Sequence, residues 1–260
     1  MKKLLCVFLI TVPATLFAAG PFDGTWVAKL DTAQFSPKPD VYLLDQGMYS
    51  CTSCIPKIEI KADGQDQKVT GSAYMDTMSV KVVDANTVEF VTKKGGKTIG
   101  KETDTVSGDG KTLSQKFTDY SAANGKVVTG EGTEARVSNG AAGAHAISGS
   151  WRTQKVSGVS DDALTIVYES TANGMKAKYG TGESYNVKFD GKFYPMEGDI
   201  AHSMVSLKQL GPSKIEQSVK RDGKVVRVLM LTVAAEGKSI NVKATDLRDN
   251  TTMTYKLVKR

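Results

Sequence analysis

The chain has 260 residues, of which 40% are hydrophobic, 24% charged and 7% aromatic. That composition is globular and excludes collagen-like and strongly disordered classes. The formal charge is +6, and two histidines and three cysteines leave little room for metal or nucleophile chemistry.

The first element in chain order is a targeting segment. Lys2 and Lys3 precede an uncharged, mostly apolar stretch over residues 4–17, and Ala18, Ala19 and Gly20 supply small residues for cleavage. At about 1.5 Å per residue the stretch reaches ~21 Å, short of the ~30 Å hydrocarbon core. Residues 1–19 therefore read as a signal peptide, and Cys6 leaves with it. The double-lysine start points to the bacterial periplasm, with secretion as the alternative. No later segment approaches 18 consecutive apolar residues, so the exported chain is expected not to span a membrane.

Beyond the leader the hydrophobic period is two. Ile58/Ile60, Val80/Val82, Val88/Phe90, Tyr185/Val187/Phe189 and Met253/Tyr255/Leu257 alternate with polar residues, the mark of strands with one buried face. Asp63-Gly64, Gly95-Gly96, Asp109-Gly110, Asp190-Gly191 and Asp222-Gly223 stand between them. These dipeptides tolerate the positive φ of hairpin turns. No sustained helical stripe occurs.

The chain also repeats itself. Shifted by 127, residues 48–119 match 175–246 without a gap, at 18 identities over 72 positions. Gly24-Thr25-Trp26 matches Gly149-Ser150-Trp151 at an offset of 125. A repeat this long is a domain, not a solenoid unit. The expected fold is all-β: two tandem antiparallel up-and-down meanders, each closed as a small barrel of about eight strands. Residues 20–138 form the first barrel, 139–146 a small-residue linker, and 147–260 the second barrel. One merged large barrel or sandwich is the alternative. Closure suits such meanders because it hides their edges.

Gly-x-Trp opening an eight-stranded meander, with Thr118-Asp119-Tyr120 late in the first copy, resembles the lipocalin (calycin) pattern. The second copy carries Thr245-Asp246-Leu247. The resemblance implies structural roles for Gly24, Trp26, Gly149, Trp151, Thr118, Asp119, Thr245 and Asp246, with each tryptophan plugging one barrel end. It implies Arg136 as the arginine over the first tryptophan, with Lys256 as its nearest counterpart in the second copy. It also implies a small apolar or amphipathic ligand.

No catalytic set falls at useful spacing along the chain. The three Gly-Lys-Thr/Ser tripeptides lack the earlier glycine of a phosphate loop and sit in hairpin turns. His145 and His202 fall in the linker and a loop, without triad partners at useful spacing. Cys51-Thr52-Ser53-Cys54 is the one distinctive motif, and occurs in the first copy only. It reads as a structural disulfide between Cys51 and Cys54, with redox activity and half a zinc site as rival readings. Residues 139–260 carry 18 basic and 12 acidic groups, but Lys192, Lys224 and Lys238 follow turn glycines and no aromatic-interleaved basic run suggests nucleic acid. The expectation is a non-enzymatic exported binding protein for a small apolar or amphipathic molecule, with no metal and no cofactor. Inward aromatics Phe90, Tyr185 and Phe189 are its candidate ligand contacts. A structural or protein-interaction module of the envelope is the alternative.

Overall fold

The computed structural model describes residues 20–260, so the signal-peptide reading of residues 1–19 lies outside them. Every regular element among the described residues is a strand. The first is β1 (Gly24–Gln34). Four short strands follow: β2 (Asp40–Asp45), β3 (Met48–Cys51), β4 (Ile58–Lys61) and β5 (Gln67–Lys68). Longer ones come next: β6 (Thr77–Val82), β7 (Thr87–Lys94), β8 (Lys97–Val106), β9 (Thr112–Asp119) and β10 (Val128–Asn139). The pattern then recurs with β11 (Gly149–Ser157), β12 (Thr165–Thr171), β13 (Gly174–Tyr179), β14 (Ser184–Lys188) and β15 (Tyr194–Pro195). The chain closes with β16 (Met204–Gly211), β17 (Lys214–Arg221), β18 (Lys224–Val233), β19 (Ser239–Asp246) and β20 (Thr251–Lys259).

These strands make two antiparallel sheets of ten, each nearly closed as a barrel, as expected of two tandem all-β units. Each barrel has ten strands where about eight were expected; one of them, β5 in the first and β15 in the second, is only two residues long, too short to show an alternation. The seam of the first barrel is bridged where the Gly64 N–H donates to the Val80 carbonyl at 2.8 Å. In the second, Ser184 and Glu197 exchange backbone hydrogen bonds.

The order within the sheets carries the main correction. The first barrel runs β4-β3-β2-β11-β10-β9-β8-β7-β6-β5, and the second β14-β13-β12-β1-β20-β19-β18-β17-β16-β15. Each copy has given its opening strand to the other. Trp26 on β1 pairs with Ile166 of β12 and Lys259 of β20, and Trp151 on β11 with Asp40 of β2 and Arg136 of β10. Barrel boundaries therefore do not fall at residues 20–138 and 147–260. Segment 139–146 is no inter-barrel linker but connects β10 to β11 within one sheet, while residues 35–39 and 158–164 cross between barrels. Gly-Thr-Trp and Gly-Ser-Trp present the same glycine and indole to a barrel end, so local sequence does not decide which end each fills.

Both indoles are fully buried, and both donate to a carbonyl four residues upstream. Trp26 bonds Phe22 at 2.7 Å and Trp151 bonds Ile147 at 2.8 Å. The Arg136 guanidinium lies 3.8 Å over the Trp151 ring and donates to the carbonyls of Ser148 (2.7 Å) and Ala146 (2.6 Å). Arg136 thus covers Trp151 rather than Trp26, a direct consequence of the exchange. Trp26 is covered by the Lys259 ammonium at 5.2 Å, not by Lys256. Register explains it: Lys259 stands opposite Trp26, whereas Lys256 stands opposite Lys29. Gly149 has φ +131°, and a Cβ there would lie 2.3 Å from the Ser138 carbonyl oxygen, so no other residue fits before the tryptophan. Gly24, at φ +128°, repeats that backbone in the other barrel.

Candidate functional site

Alternation along β8, β9 and β10 decides what fills the first barrel. Trp151 and Arg136 close the end where β9 begins. At the other end, toward Phe117 and Asp119, a cavity of about 420 Å³ opens. Tyr42, Tyr49, Phe90 and Phe117 line it with aromatic surface. Tyr49 meets Phe90 edge-on at 5.2 Å and stacks on Tyr42 at 6.4 Å. Space for the Phe117 ring comes from Gly130 on the neighbouring strand, where a Cβ would lie 2.3 Å from the ring.

The polar part of this interior is mostly acidic, and the one basic residue on its border, Lys101, is exposed. Glu102 and Asp104, two residues apart on β8, line the cavity, and Glu134 on β10 lies deeper, opposite Leu113. Asp104 and Glu134 are each only 3% exposed. One oxygen of each, Asp104 Oδ1 and Glu134 Oε2, is without a hydrogen-bond partner among the described residues. The other Glu134 oxygen accepts from Thr153 at 3.4 Å. Asp40 on β2 is half-buried nearby, and none of the four carboxyls joins an ion pair among the described residues.

Burial dominates their titration. It pushes Asp104 well above the ordinary carboxylate range, and the adjacent Glu102 pushes the same way. The Glu102–Asp104 pair thus holds a proton more tightly than ordinary carboxyls do. Burial also raises Glu102, opposed by its hydrogen bond with Asp104. Burial, then the charge of Asp40, lifts Glu134 to about 7. Asp40 is itself raised by burial, against the pull of Ser53 and Lys38.

The second barrel is a control built into the chain. Strand register equates Glu102 with Leu229 and Asp104 with Leu231, since their partners Phe117 and Gln115 correspond to Ala244 and Val242. By the same pairing Glu134 corresponds to Leu257, and Asp40 to Ile166. Four acids in one barrel are four aliphatic residues in the other. The topology does not need carboxyls there.

Of the candidate ligand contacts, Phe90 lines the first cavity. Tyr185 is buried in the second barrel and donates to Gln217 Oε1 at 3.0 Å, while Phe189 packs against the same core. The structure does not bring these three together. A second cavity of about 430 Å³ opens at the mouth of the second barrel, bordered by Tyr179, Gln217, Leu229 and Tyr255. Tyr74, Asp119, Ser121 and Ile200 border both cavities, so the two mouths face a shared entrance. Asp119, expected to be structural, accepts from the Ser121 N–H at 2.6 Å on that rim. Its neighbour Thr118 also borders the first cavity. At the matching end of β19, Asp246 next to Thr245 instead pairs with Arg248 at 2.6 Å.

Cys51 and Cys54 form the expected disulfide, and Cys54 borders the first cavity. No family model, curated protein or solved structure matches the chain. Glu102, Asp104, Glu134 and Asp40 were not among the residues the sequence singled out. The available signal was the internal alignment, in which Glu102 and Asp104 fall at alternating inward positions opposite leucines.

Proposed function

We propose that the protein is an exported, non-enzymatic binding protein that holds a small amphipathic molecule in its first barrel. The observation that carries this reading is the cavity of about 420 Å³, with aromatic walls and a few polar groups inside. That size and lining suit a small ligand. The likeness to the lipocalin pattern supports the same reading, as does an entrance shared with the second barrel. The second barrel serves as scaffold: its first strand and that of the binding barrel are exchanged, so each completes the other.

Native mass spectrometry of protein purified from its own envelope fraction tests the reading. A co-purifying small molecule at one per chain is the expected result. If nothing co-purifies, and a hydrophobic fluorophore shows neither saturable binding nor thermal stabilisation, the protein is an envelope interaction module and the pocket reading falls.

A further inference from the structure

We infer that the ligand of the first barrel is an organic cation, an ammonium group on an aromatic or apolar body. The ammonium lies against Glu102 and Asp104, and the body between Tyr49, Phe90 and Phe117. This inference rests on the binding-protein reading above and names the class of molecule bound.

Four observations lead to it. First, the carboxyls are not required by the fold, because the sister barrel carries Leu229, Leu231, Leu257 and Ile166 at their positions. Burying carboxyl groups that carry unpartnered oxygens and no ion pair is destabilising, so aliphatic residues would make the more stable barrel. Second, the Asp104 side chain is 97% removed from solvent, borders the cavity, and keeps Oδ1 unpartnered among the described residues. As a carboxylate oxygen it is complete only when a donor enters. An ammonium brings three N–H donors and no acceptor. Third, the aromatic faces of Tyr49 and Phe90 stand beside the acids, and a cation over such faces gains further attraction. Fourth, among the described residues no three His, Cys, Asp or Glu side chains are arranged to hold a metal ion. A cavity of about 420 Å³ walled by rings suits an organic cation better than a bare one.

Binding has a proton signature. The groups facing Asp104 are Glu102 on its own strand, Gln115 on β9, Glu134 on β10, Tyr49 on β3, and Asp40 and Tyr42 on β2. None is a cation, and Lys101 on the cavity border is exposed, so the empty barrel keeps a proton on the Glu102–Asp104 pair. An ammonium entering as R–NH3+ displaces that proton to the buffer and leaves the carboxylate as its counter-ion.

Titration calorimetry of the full exported chain at pH 7 tests this, in two buffers of different ionisation enthalpy. The probes are 2-phenylethylamine, its neutral isostere 2-phenylethanol, and the anion 3-phenylpropanoate. The amine should bind at least tenfold more tightly than the alcohol, release about one proton, and leave the anion unbound. The amine-over-alcohol preference should collapse in Asp104→Leu, a residue the sister barrel accommodates at this position; Asp104→Asn serves as a second variant, with circular dichroism to verify the fold. Alcohol binding as tight as amine binding overturns the cation and leaves the pocket standing. Binding of none of the three overturns the cation as well. If neutral N-phenyl-1-naphthylamine also fails to bind, the pocket reading falls with it.

Discussion

Glu134→Leu should make the protein more stable above neutral pH and change little at pH 4. Leucine is the residue of the equivalent position in the second barrel, Leu257, and its volume is close to that of glutamate. Burial and Asp40 raise the Glu134 carboxyl from its ordinary 4.5 to about 7 in the folded chain. A carboxyl raised in this direction holds its proton more tightly folded than unfolded. Its contribution is therefore fully present below pH 4.5 and is lost as the pH rises through about 7. At about 1.4 kcal/mol per pH unit, that window corresponds to roughly 3 kcal/mol, an upper figure. Urea denaturation at pH 4, 5.5, 7 and 8, in parallel for wild type and variant, reads it directly. The two stability curves should coincide at pH 4 and separate progressively to pH 7. Parallel curves, or a variant less stable than wild type at pH 8, would refute the idea that the ionised Glu134 is under-compensated in the folded barrel.

Three further outcomes follow from the fold. Trp26→Ala should cost about 3–5 kcal/mol, and hydrogen exchange should rise in 165–171 and 251–259 rather than in 40–61, because β1 lies in the second barrel; faster exchange confined to 40–61 would contradict the strand exchange. Arg136→Met should lower stability by about 2–4 kcal/mol, since it strips the cover from Trp151 and removes the guanidinium donors from the Ala146 and Ser148 carbonyls; an unchanged urea midpoint would show that the cap contributes nothing. Reducing Cys51–Cys54 opens a loop with a sequence separation of only three and should cost at most about 2 kcal/mol, with no turnover in an insulin-reduction assay; measurable turnover would return the pair to redox chemistry.

Much of the architecture was legible because β-structure writes itself in period two. Val88/Phe90 and Met253/Tyr255/Leu257 alternate in the sequence and do so in the barrels, and the Asp-Gly and Gly-Gly turns sit between strands. The strand exchange was not legible. It is decided by which of two nearly equivalent ends, Gly24-Thr25-Trp26 or Gly149-Ser150-Trp151, pairs with Arg136, and both offer the same glycine and the same indole. The acidic interior was missed for another reason. A pattern search for buried positions looks for apolar residues, and Glu102 and Asp104 look like exposed residues of an amphipathic strand. The register with Phe117 and Gln115, and the internal alignment with Leu229 and Leu231, turn them inward.

The exchange and the acidic cavity bear on each other. Buried carboxyls with unpartnered oxygens weaken the first barrel on its own, yet two of the strands that carry its acids, β10 and β2, are held by β11, a strand that begins the second copy. Conversely β1, from the first copy, fills the gap between β12 and β20 in a barrel whose core is leucine, valine and tyrosine. Opening the acidic barrel by removing β11 would strain residues 158–164 and pull on β12, so loss of one barrel draws on the apolar packing of the other. A duplicated fold can therefore tolerate a destabilising site in one copy when the two copies share strands. On this reasoning unfolding is a single cooperative transition for both barrels despite the difference between their cores. Differential scanning calorimetry of the full chain should show one peak whose calorimetric and van't Hoff enthalpies agree. Two resolved peaks, the lower one sensitive to Glu134→Leu, would show that the barrels unfold independently and that the shared strands do not couple them.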